Sequence, residues 1–123
     1  MTRWEKRKEN PTEYQEQVKL AEYLDLQGYL WCHVPNGGNR NAITGAKLKR
    51  QGVKKGVPDV LIFEPEGGIA IELKRKKGGR LRQSQIEWLQ RLKSSGWKIK
   101  VAYGADDAID YLESLEELGE HDA

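Results

Sequence analysis

Two short apolar runs separated by a turn-forming segment constrain the fold of this chain more than any other feature. The runs are residues 60–63 and 69–71, and the segment between them, residues 64–68, contains a proline and two glycines. Short apolar runs bounded by such residues are typical of buried strands. The pattern therefore predicts a β-hairpin whose loop spans residues 64–67.

Folding this hairpin about the middle of its loop sets the register of the two strands. Val60 then faces Ile71, and Asp59 faces Glu72. Directly opposed residues share a face of the sheet, with Cβ atoms roughly 5 Å apart. Lys74 reaches the same face because it lies two residues beyond Glu72. Two carboxylates this close repel each other unless a cation lies between them, so the register predicts a divalent-metal site with a basic group beside it.

The size and composition of the chain limit its class. A chain of 123 residues forms one domain, which we place at residues 11–118, with an N-terminal extension at 1–10 and a C-terminal tail at 119–123. No apolar run approaches the length of a membrane span, and no apolar signal segment opens the chain, so we expect a cytoplasmic protein with no membrane partner. The single cysteine, Cys32, excludes an intrachain disulfide and is expected to be an inert core thiol.

The net charge of +2 conceals two strongly basic runs. Residues 36–58 and 73–86 contain no acid, whereas the residues after Lys100 contain no lysine or arginine. Because both basic runs flank the carboxylate pair, we expect them to bind the phosphates of a polyanion, with the acidic final helix lying away from the site. Solubilising charge on loops and helix faces is the alternative. The candidate contacts are Asn36, Arg40, Lys47, Lys54, Lys55, Arg75, Lys76, Lys77 and Arg80.

Capping signals predict where the helices begin. Asn10 as N-cap, Pro11 at N1 and Glu13 at N3 are typical of a helix start, and residues 84–87 form a second capping box. The predicted order is helix 11–27, strand 29–34, helix 42–51, the hairpin, helix 84–95, strand 98–103 and helix 106–118. This order predicts an α/β fold in which a mixed β-sheet is flanked by helices on both faces.

An acid on the first helix, an aspartate opening one strand and Glu-x-Lys on the next resemble the PD-(D/E)xK nuclease superfamily. The chain more specifically resembles the VRR-NUC (virus-type replication-repair nuclease) family. That resemblance extends from about Glu13 to Leu112. The matching residues are 35–38, 54–59, 71–74, 79–81, Gln85, Trp88, Leu89, Tyr103 and Gly104.

The resemblance implies a fold, an activity and partners. The implied fold is a restriction-endonuclease-like PD-(D/E)xK core, αβββαβ with a C-terminal helix. The implied activity is that of a metal-dependent, structure-selective DNA endonuclease in replication, recombination or repair. Branched DNA, such as four-way junctions or flaps, is the implied substrate, Mg²⁺ or Mn²⁺ the implied cofactor, and a homodimer the implied assembly.

The resemblance also implies roles for particular residues. Asp59, Glu72 and the main-chain carbonyl of Leu73 would hold the metal, since hard cations prefer oxygen ligands. Lys74 would orient or deprotonate the attacking water and stabilise negative charge, and Gln85 would be a further site residue. The alternative for Asp59, Glu72 and Lys74 is a salt-bridge cluster on the protein surface with no catalytic role. The alternative for Gln85 is an ordinary polar residue at a helix N-terminus.

Two acids on the first helix, Glu13 and Glu16, are candidates for the remaining catalytic position. We expect Glu13 to lie nearer the apolar face than Glu16 and to reach toward the metal, although Glu13 also fits a capping role. That apolar face is taken to consist of Tyr14, Val18, Leu20, Ala21 and Leu24.

Two other functional classes compete with the nuclease hypothesis. A DNA-binding module without catalysis would have no need for the desolvated carboxylate pair of Asp59 and Glu72. An RNA-binding protein finds no support, because no aromatic RNA-recognition motif is present. His33 is a lone histidine in a predicted strand, and we interpret it as structural or as a phosphate contact.

Overall fold

The computed structural model describes residues 11–35 and 42–122. The predicted N-terminal extension, Asn36 and Arg40 lie outside the described residues. The elements are α1 (Glu13–Gln27), β1 (Trp31–His33), α2 (Ala42–Arg50), β2 (Val60–Glu64), β3 (Gly67–Lys74), α3 (Gln83–Ser94), β4 (Lys98–Tyr103) and α4 (Ala105–Asp122).

The four strands form one mixed sheet in the order β1-β2-β3-β4. The pairs β1–β2 and β2–β3 are antiparallel, whereas β3 and β4 are parallel and are joined through α3. A parallel pair needs such a crossover, because its second strand must start at the same end of the sheet as the first. The predicted mixed α/β architecture is confirmed.

The hairpin register is confirmed, but its loop is shorter than expected. Val60 pairs with Ile71 and Phe63 with Gly68, as predicted, and Glu64 also pairs with Gly67. The connection is therefore a two-residue turn rather than the four-residue loop. Gly67 has a φ of 109°, which a residue with a Cβ rarely adopts, so this glycine lets the strand begin directly after the turn.

The main core lies on one face of the sheet. Val60, Ile71 and Leu73 are at most 1% exposed and share that face. Leu20 of α1 and Leu112 of α4 are fully buried in the same cluster. Each such side chain stabilises the fold by about 1.5–3 kcal/mol. The residues that alternate with them in β3, Glu72 and Lys74, consequently point to the opposite face.

Both predicted N-caps were wrong by two residues. Thr12, rather than Asn10, caps α1, because its hydroxyl accepts from the amide of Gln15 at 3.1 Å and the Gln15 side chain accepts from the amide of Thr12 at 2.9 Å. Arg82, rather than Ser84, precedes α3, and its amide donates to Oε1 of Gln85 at 2.8 Å. Pro11 therefore lies outside α1.

Two further expectations need correction. Cys32 is exposed rather than a core thiol, because β1 is an edge strand of three residues in which only Trp31 packs against the core. The last helix continues to Asp122 instead of ending near Leu118.

Among the helices in the described ranges, none is long and apolar enough to cross a membrane.

Candidate active site

The candidate site lies at the end of the sheet where β2 begins and β3 ends. Asp59 immediately precedes β2, and Glu72 and Lys74 are the last alternate residues of β3. The backbone amide of Leu73 donates to Oδ2 of Asp59 at 2.8 Å. The antiparallel register therefore brings together the two carboxylates and the lysine that the sequence placed on one face.

Glu72 is a buried carboxylate in which only one of the two oxygens is hydrogen-bonded within the described residues. Its side chain is 2% exposed, and its Oε1 accepts from Nε2 of Gln85 at 3.0 Å. Its Oε2 is buried and has no hydrogen-bond partner among the described residues. The pKa of Glu72 is raised to about 8, chiefly by burial and then by the charge of the neighbouring Asp59, while Lys74 opposes the shift.

Lys74 is held in place and is no ordinary solvated lysine. It is only 8% exposed, and its Nζ donates to Oε1 of Gln85 at 3.0 Å and lies 3.6 Å from Oε1 of Glu72. The chain after β3 folds back over it, since a Cβ on Gly79 would stand 2.7 Å from the Cβ of Lys74. Arg75, next along the chain, is exposed, so Lys74 is distinct within its basic run.

Gln85 connects the acid and the base of the site. Its Oε1 accepts from Lys74 Nζ and from the amide of Arg82, while its Nε2 donates to Glu72. This set of partners fixes which end of the amide faces which neighbour, since only the oxygen can accept. The position of Gln85 in the first turn of α3 is what lets it reach both strand residues.

The prediction that Glu13 lies nearer the apolar face of α1 than Glu16 was wrong. Glu13 is exposed, whereas Glu16 is 3% exposed and lies one turn before the buried Leu20. The prediction failed because Tyr14 and Val18, which were counted as inward-facing, are 77% and 37% exposed. The buried stripe of α1 instead runs at four-residue spacing from Glu16 through Leu20.

Glu16 lies at the same end of the sheet as the carboxylate pair, in the helix layer on the opposite face. A Cβ on Gly104, directly after β4, would stand 2.7 Å from Oε2 of Glu16. Gly104 donates its amide to the carbonyl of Lys74 at 2.8 Å. Within the part of the chain that the structure describes, Oε2 of Glu16 has no hydrogen-bond partner.

The donor set fits a hard divalent cation. Asp59 and Glu72 offer oxygen, the ligand type that Mg²⁺ and Mn²⁺ prefer, and Oε2 of Glu72 is buried without a partner among the described residues. Within residues 11–35 and 42–122, no three histidine, cysteine, aspartate or glutamate side chains come together as metal ligands. A cation held here must therefore complete its ligand shell with main-chain or solvent oxygens, which suits the expected use of the Leu73 carbonyl.

The predicted phosphate contacts fall into several groups. Lys54 and Lys55 are exposed, and their segment is attached to α3, because Trp88 Nε1 donates to the carbonyl of Lys55 at 3.1 Å. A Cβ on Gly56 would stand 2.7 Å from Ser84, so the segment packs closely on that helix. The remaining exposed candidates in the described residues are Lys47, Arg75, Lys76, Lys77 and Arg80.

Lys76 has a more specific setting than its neighbours. Its Cγ and Cε would both stand 2.9 Å from a Cβ on Gly104, so its stem lies across this glycine near Glu16. Its charge also contributes to lowering the pKa of Asp106, for which the hydrogen bond from Lys19 is the main cause. Lys76 therefore faces carboxylates as well as solvent.

The prediction that the acidic last helix lies away from the site was only partly right. Since α4 starts at Ala105, two residues after β4 ends, its first turn lies at the site end of the sheet. The acids of that turn are paired, Asp106 with Lys19 at 2.7 Å and Asp107 with Lys100 at 3.3 Å. These pairs reduce the repulsion that a phosphate would meet there.

From the sequence we interpreted His33 as structural or as a phosphate contact, and we did not place this residue beside Asp59. Nδ1 of His33 lies 2.8 Å from the main-chain oxygen of Asp59. No sequence signal marked this contact, because it depends on the register of β1 against β2.

Comparison with known proteins agrees with this geometry. A family model described as "VRR-NUC domain" matches residues 11–106. A solved structure described as "VRR_NUC domain protein" is 27% identical, covers 84% of this chain and 86% of that chain, and superposes with a TM-score of 0.70. No functionally curated protein matches the chain. The shared fold confirms the expected restriction-endonuclease-like core.

Proposed function

We propose, from the premise that this chain belongs to the VRR-NUC family of PD-(D/E)xK-like nucleases, that it is a metal-dependent DNA endonuclease. The observation that carries the proposal is the buried Glu72 beside the half-buried Asp59, with Lys74 held next to Glu72 through Gln85. A module that only bound DNA would gain nothing from burying one carboxylate next to another, which destabilises the fold.

Asp59, Glu72 and the carbonyl of Leu73 are the proposed ligands of Mg²⁺ or Mn²⁺. A divalent cation, when bound, supplies Lewis acidity and neutralises charge at the phosphate that is cleaved. The protein orients the two carboxylate ligands by hydrogen bonds. The backbone amide of Leu73 donates to Oδ2 of Asp59, and the side-chain amide of Gln85 donates to Oε1 of Glu72.

Lys74 is the proposed partner of the attacking water. Its ammonium group would orient the water and stabilise the negative charge that develops on the phosphate in the transition state. Glu16 is the proposed acid from the first helix, in place of Glu13. Its burial and its unpartnered Oε2 among the described residues support that choice.

The proposed substrate is DNA, with branched DNA such as four-way junctions or flaps as the preferred form. The exposed basic residues around the site support phosphate binding without sequence preference. Branch selection would come from a homodimer, because a two-fold axis presents two metal sites to two strands of a symmetric junction.

A panel of substrates tests the activity and its selectivity together. Purified protein is incubated with labelled single-stranded, duplex, flap and four-way-junction DNA in Mg²⁺, Mn²⁺ or EDTA. We expect cleavage with either metal, none in EDTA, and faster cleavage of the branched forms. Binding without cleavage under every metal condition would identify a non-catalytic DNA-binding module instead.

Sedimentation at the concentrations used for cleavage tests the assembly. We expect a dimer and paired, symmetric cuts on a four-way junction. A monomer that makes the same paired cuts would remove the basis for the homodimer.

A further inference from the structure

We propose that His33 is a positioning residue that sets the orientation of Asp59, an inference that rests on the proposed metal-dependent function. His33 is the last residue of β1 and pairs with Val60, the first residue of β2. Its ring therefore lies beside the peptide group that carries the Asp59 side chain into the site.

The main-chain oxygen of Asp59 has two partners, one from the end of β1 and one from the residue directly after it. The amide of Val34 donates to it at 2.8 Å, and Nδ1 of His33 lies 2.8 Å from the same oxygen. A carbonyl oxygen has two lone pairs and can accept both bonds. Together with the bond from Leu73 to Oδ2, these contacts hold Asp59 from both neighbouring strands.

The contact fixes the tautomer of the neutral imidazole. A carbonyl oxygen cannot donate, so a hydrogen bond between it and Nδ1 requires the proton to be on Nδ1. In the neutral ring, Nε2 is then unprotonated. Backbone carbonyls commonly fix histidine rings in this way.

The hydrogen bond from His33 contributes more to the orientation of Asp59 than to the stability of the fold. Asp59's oxygen is already satisfied by Val34, so removal of the imidazole leaves no buried acceptor without a partner. His33 is also exposed on an edge strand, where water can replace its bond. What water cannot replace is a rigid second constraint on the residue that holds a proposed ligand, and loss of such support typically weakens metal binding 10- to 100-fold.

Two substitutions of His33 separate the effect of its hydrogen bond on Asp59 from the effect of losing the imidazole ring. His33→Asn places an amide nitrogen one bond from Cγ, as Nδ1 is, and can restore the donor. His33→Gln places its amide nitrogen one atom farther out and cannot make the same bond without shifting. Cys32→Ser, at the exposed neighbouring position, is the matched control.

Three measurements on the full chain decide the matter. Mn²⁺ binding is titrated by electron paramagnetic resonance, thermal unfolding reports stability, and nitrogen-15 NMR without metal reports the His33 tautomer and the amide proton of Leu73. In wild type we expect the Nδ1–H tautomer. In His33→Gln we expect a shifted resonance for the Leu73 amide proton and Mn²⁺ binding about 10- to 100-fold weaker. In His33→Asn we expect the Leu73 resonance and the Mn²⁺ affinity to return to their wild-type values. Melting temperature should change little in all three variants.

The inference is overturned if the Nε2–H tautomer dominates, if His33→Gln leaves the Leu73 amide and Mn²⁺ binding unchanged, or if His33→Asn behaves like His33→Gln. Failure of the proposed function is a different result, in which wild-type protein neither binds Mn²⁺ nor cleaves DNA. The tautomer and the Leu73 amide need no metal, so they decide the positioning of Asp59 in that case too.

Discussion

The backbone amide of Leu73 donates to Oδ2 of Asp59 at 2.8 Å, so the end of one strand fixes the acid that opens its neighbour. Asp59 precedes β2 and would be free to turn if only its own strand held it. The bond links its carboxylate to the strand that carries Glu72 and Lys74. The relative placement of the proposed ligands is therefore part of the hairpin itself.

Replacing Glu72 with glutamine should stabilise the metal-free protein at neutral pH. Burial raises the pKa of Glu72 in the folded state from its ordinary 4.5 to about 8, with the Asp59 charge adding to the shift, so the folded chain holds this proton more tightly than the unfolded chain does. The free energy of unfolding should consequently fall as the pH rises from about 4.5 to about 8.

Glu72→Gln removes this titration, and we expect its melting temperature in EDTA at pH 8 to exceed that of wild type by several °C. The difference should disappear near pH 4.5. Scanning calorimetry across this range provides the measurement. A variant with the same pH dependence of stability as wild type would show that the titration of Glu72 does not cause it.

Replacing Lys74 with alanine should slow DNA cleavage by roughly 10² to 10⁴. Metal binding should persist, because Lys74 is not a proposed ligand. Lys77→Ala is the matched control, since Lys77 lies in the same basic run but is exposed. Single-turnover rates measure the effect, and an equal rate in Lys74→Ala and Lys77→Ala would reduce Lys74 to a phosphate contact.

Glu16→Gln should impair cleavage more than Glu13→Gln. Glu16 is buried beside Gly104 at the site end of the sheet, whereas Glu13 is exposed in the first turn of α1. We expect at least about a tenfold loss of rate for Glu16→Gln, as for lost support of a metal site, and little change for Glu13→Gln. Comparable activity in the two variants would contradict a role for Glu16 in cleavage.

Neutralising Lys54 and Lys55 together should weaken binding to every DNA structure about equally. Phosphate contacts carry no sequence or branch information, and each one lost should reduce the salt slope by about 1. The control is the pair Arg91 and Lys93, exposed in the last turn of α3, toward the other end of the sheet. Fluorescence anisotropy at several salt concentrations gives both quantities, and a changed cleavage position would contradict a purely phosphate role.

The hairpin and its carboxylate pair were predictable because the signals are local. Successive side chains of a strand alternate between its two faces, and the position of the turn sets the register. The first-helix acid was not predictable in the same way. Amphipathic patterning shows that α1 is a helix, but exposed Tyr14 and Val18 made its buried stripe ambiguous.

Contacts between distant elements left even less trace in the sequence. The bond between His33 and Asp59 depends on which edge β1 joins, and the contact between Glu16 and Gly104 depends on how α1 lies on the sheet. The predicted cap of α3 failed for a related reason, whereas the Thr12–Gln15 cap of α1 is local to the sequence. Gln85 satisfies the amide of Arg82 while it also bonds Lys74 and Glu72, so the start of α3 is set together with the site.

The most direct test of the account is single-turnover cleavage of labelled DNA by wild type and by Asp59→Ala, each in Mg²⁺, Mn²⁺ and EDTA. We predict that wild type cleaves with either metal and not in EDTA, and that Asp59→Ala binds DNA normally but cleaves at least about 100-fold more slowly. A wild-type rate that persists in EDTA, or an Asp59→Ala rate equal to wild type, would contradict the proposed metal site.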